Sequence, residues 1–308
     1  MIRKSRPFCP SCGSSKPSLI GPIPGSNAFA GRHLDRILPG GSLWKCSNCY
    51  LHFRFPILAK DDADELYRQG SSESWAEPLS QRVDWQIVKK VISATPDIKS
   101  IIDVGCYDGR LLDQFGSEYI KLGIEVHQDA ANIAKDKGIH IVGNDFESIP
   151  TLSSKLDAAV AIDVLEHVKD PLGFLEQVSS LVRADGLIII STGNSHSWHW
   201  KLMGSFYWYC HVAEHISFIN PPWVKYSASL LSLSVSKILF FSHAEGGFRK
   251  FVSQFLANFT YRLSPYLFSR LRFLGLGGLD VQTLPGLSLT PPYWLSAKDH
   301  MLIVYRKK

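Results

Sequence analysis

The chain has 308 residues, 45% hydrophobic and 20% charged, with a formal net charge of +5. That is an ordinary composition for a soluble chain with one large domain and an appendage, and it excludes fibrous or low-complexity architecture. No stretch reaches the ~18 unbroken apolar residues of a spanning helix, and the basic N-terminus lacks a signal's apolar run, so a cytoplasmic protein is expected. The charge is uneven. The first 56 residues hold eight Lys and Arg against Asp35, and residues 247–308 hold nine against Asp280 and Asp299, so +7 at each end leaves −9 in the centre. Basic ends suit an anionic substrate, nucleic acid or a lipid surface, or are plain solvated charge.

Four of the six cysteines form two brackets, Cys9-Pro-Ser-Cys12 and Cys46-Ser-Asn-Cys49. A two-residue gap lets both thiolates of one tight turn reach the same ion, and two such turns complete a tetrahedral sulfur site. A structural zinc or iron is expected at Cys9, Cys12, Cys46 and Cys49. A pair of disulfides is the alternative, and it needs an oxidising compartment. Gly13 follows the first bracket and frees the turn, whereas Tyr50 stands there in the second. The 33 residues between brackets are rich in Gly and Pro. Cys106 and Cys210 lie apart and read as packing or site-wall residues.

LHFRFP (51–56) alternates like a short strand closing this module. DDADELYRQ opens with acids suited to a helix N-terminus, and RVDWQIVKKVI places Val83, Ile87, Val88 and Val91 on one helical face. Boundaries follow: a zinc-binding module over 1–58, a helical connector over 59–95, and a larger domain over 96–308.

From Ile101 short apolar runs alternate with helical stretches. IKSIIDV, KLGIEV, GIHIVGND, LDAAVAID and LIIIST read as buried parallel strands. RLLDQFG, QDAANIAKDKG and DPLGFLEQVSSLV between them carry helical periodicity. This is an α/β doubly wound sheet, whose ligands sit at the carboxyl ends of the strands. The first strand runs into Asp103-Val-Gly105-Cys-Tyr107-Asp-Gly109, which is not the G-x-G-x-x-G of a dinucleotide fold. Glu125, ending the second strand before Val126, is placed to accept ribose hydroxyls. The third strand ends at Asp145-Phe146, and the fourth at Asp163-Val-Leu-Glu166-His167.

In these residues the chain resembles class I S-adenosylmethionine-dependent methyltransferases of the group that modifies sugars, quinones and other small metabolites. IIDVGCYDG resembles their glycine loop, GIEV their ribose motif, GNDFE their adenine motif, and AIDVLEHVKDPLGFL and VRADGLIIISTGN their fourth and fifth strands, over roughly residues 83–220. The resemblance implies a Rossmann-like methyltransferase fold and S-adenosylmethionine as cofactor. It places Asp103, Gly105, Tyr107 and Gly109 around the methionine portion, Glu125 and Val126 at the ribose, Asp145 and Phe146 at adenine, and Asp163 beside the sulfonium. Tyr107 departs from the family's middle glycine and puts the loop's geometry in question.

Methyl transfer to a hydroxyl or carbon acid requires alignment and a proton acceptor. The aromatic span after the fifth strand carries His196, His199, His211 and His215. By resemblance to sugar methyltransferases with a zinc module, His215 is the candidate base with Glu214 as its partner, and a capping role within a lid is the alternative. His196 and His167 are weaker candidates. A small-molecule acceptor is expected, a nucleotide-sugar or surface-polysaccharide carbohydrate, methylated at oxygen or carbon. Alternatives are RNA gripped by the zinc module, so that nucleic acid stays open as a partner, and a non-catalytic binding protein on the same fold.

LSVSKILFFS and DHMLIVYRKK read as two more strands. Between them a helical insertion over 246–290 presents Phe248, Phe251, Val252, Phe255, Leu256 and Phe259, bordered by Arg249, Lys250, Arg262, Arg270 and Arg272. It could be a lid, packed core, or a peripheral membrane contact through 248–273.

Overall fold

The computed structural model describes residues 6–68, 82–146, 149–243, 247–273, 290–294 and 296–308. The Gly/Pro-rich spacer between the brackets is strand-forming: β1 (Pro17–Pro22), the hairpin β2 (Ser26–Phe29) and β3 (Arg32–Leu38), and β4 (Ser42–Cys46). β4 pairs antiparallel with β1 and with β5 (His52–Phe55), the strand expected from LHFRFP. The two cysteine turns are built alike. Cys9 N donates to Ser14 O and Cys46 N to Leu51 O, both at 2.9 Å. Gly13 (φ +68°) and Tyr50 (φ +65°) share the left-handed conformation, so the tyrosine takes the turn that glycine favours.

Helix α1 (Lys60–Arg68) and helix α2 (Val83–Ser93) follow; the end of the expected DDADELYRQ helix lies outside the described residues. The alternating region then gives β6 (Ser100–Val104), β7 (Ile120–Ile124), α3 (Gln128–Asp136), β8 (His140–Gly143), β9 (Leu156–Ile162), α4 (Pro171–Leu181) and β10 (Val182–Gly193). RLLDQFG is not a full helix. It is a single 3-10 turn over Leu112–Gln114, because Gly109 (φ +77°) and Gly116 confine it to six intervening residues. Asp170 caps α4, its Oδ1 accepting from Leu172 N and Gly173 N, with Pro171 at the first helical position.

Beyond β10 lie α5 (Trp198–Met203), α6 (Trp208–His211), β11 (Ser217–Phe218), α7 (Pro221–Leu230), β12 (Leu233–Phe241), α8 (Phe248–Leu263), α9 (Pro265–Phe273) and β13 (His300–Lys307). Residues 274–289 of the expected insertion, and the side chain of Arg272, lie outside the described residues. The seven-stranded sheet runs β12-β13-β10-β9-β6-β7-β8, with β13 antiparallel to both neighbours and the β8-β7-β6-β9-β10 pairs parallel. Strand order reverses between β6 and β9, which is where a doubly wound sheet opens its ligand crevice.

The N-terminal module is not a separate body. β11 pairs with β5, Ser217 opposite Phe53 and Phe218 opposite His52. Cys9, Cys46, Cys49, Leu51 and Phe53 share one buried core with Ile188, Ile190, Trp223 and Met301 of the large domain. Trp223 Nε1 of α7 donates to Ser11 Oγ at 2.9 Å, and Asn220 Nδ2 to the Tyr50 carbonyl at 2.8 Å. The sequence boundary at residue 58 therefore does not divide the packing.

Candidate active site

The glycine loop leaves β6 and turns beneath the carboxyl end of β7. A Cβ on Gly105 (φ +84°) would meet Val164 Cγ2 at 2.5 Å and lie 3.8 Å from the Phe146 ring, so the hollow between them admits only backbone. Tyr107 adopts φ +49°, the conformation a glycine would take there, and its ring lies under the Arg110 guanidinium at 5.9 Å. The loop thus keeps its path, at a cost of roughly 1–2 kcal/mol for a left-handed residue with a side chain. Glu125 is buried and braces it: Oε2 accepts from Tyr107 N at 2.7 Å and Oε1 from His127 N at 2.8 Å. Val126 beside it is exposed.

Asp103 is buried, its Oδ1 has no hydrogen-bond partner, and burial with Glu125 nearby pushes its carboxyl up to about 7. Asp145 and Phe146 lie half-buried past β8. Asp163, at φ +53° past β9, receives Arg82 Nη2 at 2.5 Å, and the same nitrogen reaches Asp84. Burial alone would raise Asp163, but Arg82, with His243 and His300 nearby, holds it down at about 2. Its side chain is still 33% exposed, so the carboxylate keeps contact with solvent. An unpartnered buried carboxylate oxygen, a hollow closed to Cβ, and acids at successive strand ends fit a nucleoside with a cationic tail.

A second group of polar side chains is assembled from distant segments. His215 is buried, and its Nδ1 lies 3.1 Å from the Tyr209 carbonyl. A carbonyl only accepts, so Nδ1 carries the proton and Nε2 keeps its lone pair. Burial, with His167 4.9 Å away ring to ring, holds His215 neutral far below its ordinary range. Glu166 accepts from Tyr209 Oη at 2.6 Å and Thr192 Oγ1 at 2.8 Å, and burial with Asp163 nearby raises it to about 7. Glu166, His167 and His215 each place one ligand atom within 4.8 Å of the others, close enough to share a cation.

Glu214 is not joined to His215: its Oε1 accepts from Ala30 N at 2.9 Å, and its backbone bonds His167. His196 is exposed, His211 Nε2 bonds Gly25 O at 2.8 Å, and His199 stacks on Trp198 at 3.8 Å. The strongest anchor of this group comes from the N-terminal module. Arg54, buried on β5, donates to His215 O (3.0 Å), Cys210 O (2.5 Å), Val212 O (2.8 Å) and Gly40 O (2.9 Å). Burial lowers it to about 10, still well above neutral, so the charge is spent on four carbonyls.

Sequence reasoning missed Arg82, Arg54, Tyr209 and Thr192, which carry no local pattern. It also missed the Asp299–His300 pair, joined at 2.9 Å, whose adjacency at the start of the last strand was the available signal. Tyr207 donates its hydroxyl to Asp299, extending that network.

In the cysteine cluster, Cys9–Cys49 and Cys12–Cys46 Sγ atoms are 3.5 Å apart, and all four lie within 4.8 Å. A tetrahedron with Zn–S of ~2.3 Å has edges of ~3.8 Å, whereas a disulfide needs ~2.05 Å. The cluster therefore fits a structural zinc ion with no position left for a substrate.

Residues 72–222 match the family model described as a methyltransferase domain. By this match, just under half of the chain is similar to methyltransferase domains. The family's cofactor is S-adenosylmethionine. Among curated relatives, the ubiquinone biosynthesis O-methyltransferase of Glaesserella parasuis is 31% identical over 108 residues, 31% of this chain and 46% of that one. That of Salmonella paratyphi A is 29% identical over 119 residues, 35% of this chain and 49% of that one. The chain thus spans about half the length of the curated relatives it matches. A SAM-dependent methyltransferase from Archaeoglobus fulgidus superposes at a TM-score of 0.45 and 18% identity, covering 81% of this chain and all of that one.

Proposed function

We propose that the protein is an S-adenosylmethionine-dependent O-methyltransferase acting on a hydroxyl of a small, flat acceptor of the phenol or quinol type. The cofactor supplies an electrophilic methyl group on sulfur and leaves as a neutral thioether. Gly105 and Gly109 let backbone approach its methionine portion, Glu125 and Val126 meet the ribose, Asp145 and Phe146 the adenine, and Asp103 supplies an acceptor behind the loop. Asp163, held ionised by Arg82, faces the positive sulfur. His215 takes the hydroxyl proton at Nε2 as the C–O bond forms, and the Asp163 carboxylate stabilises the resulting imidazolium.

The observation that carries this reading is the fixed Nδ1–H tautomer of a buried, neutral His215 (beside Glu166 and His167), which leaves Nε2 as a proton acceptor. Glu214 acts one step back, tying the His215 loop to Ala30. The quinol class rests on the similarity to ubiquinone biosynthesis O-methyltransferases and on aromatic pairs beyond β10: Trp208 lies 5.2 Å from Tyr293 and 6.2 Å from His300, and Trp198 5.3 Å from Trp294. A carbohydrate hydroxyl is the second reading, supported by the Glu214-His215 resemblance to sugar methyltransferases. RNA is disfavoured, because Arg54, one of the eight N-terminal cations, is buried on carbonyls and unable to meet phosphate. The non-catalytic reading loses its basis once Tyr107 keeps the glycine conformation.

Calorimetry should show S-adenosylmethionine binding, and its absence at millimolar cofactor would sink the reading. Labelled methyl transfer to catechols and quinols against nucleotide-sugars then decides the acceptor.

A further inference from the structure

Helices α8 and α9 form a hairpin with two unlike faces. The inner face packs on the aromatic cluster: Tyr261 and Phe268 are buried edge to face at 5.5 Å, and Phe251 and Phe255 approach Trp294 at 6.4 and 6.0 Å. The outer face carries Phe248, Val252, Leu256, Phe259 and Leu263, whose spacing of four, four, three and four makes one stripe along α8. Apart from half-buried Val252 these side chains face water, Phe248 81% exposed and Leu263 70%. Exposed Tyr266 and Leu267 continue the stripe into α9.

At 100° per residue, Arg249 and Arg262 fall on opposite flanks of this stripe. Residues 248–273 contain five Lys and Arg and neither Asp nor Glu. α8 has 16 residues, about 24 Å, and no described helix is long and apolar enough to cross a membrane. An apolar stripe flanked by cations on a helix too short to span is the pattern of a segment lying in the headgroup plane.

We infer that the outer face of the α8–α9 hairpin docks the protein on an anionic lipid bilayer. Charge selects this occupant: a second copy would set cations against cations, whereas phosphate headgroups complement them. Docking does not depend on the methyl-transfer reading. Joined to it, docking gives a lipid-dissolved acceptor a short route, since the hairpin's inner aromatic face adjoins Trp198 and Trp294.

The test is sedimentation of the full chain with vesicles of phosphatidylglycerol and phosphatidylcholine against phosphatidylcholine alone. Binding to the anionic vesicles, weakened by salt, is expected. Leu256→Asp with Phe259→Asp should weaken it about tenfold or more. Arg249→Gln with Arg262→Gln should weaken binding about thirtyfold, from about 1 kcal/mol per cation. An unchanged thermal midpoint in both variants shows that the fold survives. Absence of binding to anionic vesicles at low salt, or unchanged binding by the aspartate pair, overturns the inference. So does a dimer in solution that the aspartate pair dissociates, since a second copy would then cover the face. Cofactor calorimetry on the same samples reads the catalytic proposal separately.

Discussion

In the proposed site, the cofactor end draws its side chains from one continuous stretch, residues 103–163, whereas the acceptor end collects Arg82, Tyr209, His215, Asp299 and His300 from across the chain. The first is a set of strand ends whose positions follow from the sheet. The second has no such frame, and it is tied to a cation on the cysteine module, Arg54, through the carbonyls of Cys210, Val212 and His215. The two ends should therefore fail separately: damage to the module disables acceptor chemistry before it disables cofactor binding.

The severest test removes the module's metal. Cys46→Ser should take bound zinc from about one per chain to none and abolish methyl transfer, because the β5–β11 pairing goes with it. If cofactor affinity falls as far as turnover, the two ends are one unit and the contrast is wrong. His215→Ala probes the acceptor end alone, and turnover should drop by roughly 10²–10⁴ with cofactor affinity nearly intact. Unchanged turnover would remove His215 from the mechanism.

Arg54→Met is a finer cut. It strands the carbonyls of His215, Cys210 and Val212, each costing about 1–3 kcal/mol if left unmet, so water entry and a displaced loop are expected. Turnover should fall while the KM for cofactor stays put, with Arg54→Lys recovering part; an equal loss in both parameters would speak for a merely structural role.

The smallest effect is on pH dependence. His52 and His199 are held by burial at about 3 and about 4, so between there and their ordinary 6.5 the unfolded chain binds protons that the fold does not. Stability should fall as pH drops through that window. Glu166, raised to about 7, has the opposite sign: the fold binds its proton between about 4.5 and 7, and its contribution fades as pH rises. Melting curves of Glu166→Gln should therefore show a steeper loss on acidification from pH 6.5 to 4.5 than the parent.

The same contrast explains what the sequence made legible. Five strands and the acids at their ends could be read because period and spacing are local, and the cysteine brackets for the same reason. The strands β1 to β4 were hidden in a Gly/Pro-rich spacer, since their pairing joins residues up to 29 apart in sequence and shows no local period. Tyr50 and Tyr107 looked like defects because propensity disfavours φ > 0 for a side chain, yet tertiary contacts hold both there. Glu214 and His215 are adjacent in sequence but point to different partners, Ala30 and Tyr209, which no motif spacing can show.

Arg54 also fixes an order of events. It leaves the ribosome 156 residues before Cys210, whose carbonyl it will hold. At ~5–20 residues per second that is a wait of roughly 10–30 seconds. During synthesis the module can seat its metal on four cysteines already made, while its arginine remains hydrated. The segment 210–217 then arrives, exchanging much of that hydration for the carbonyls of Cys210, Val212 and His215 and adding β11 to a sheet edge already waiting. Acceptor chemistry is in this sense the last thing the chain acquires.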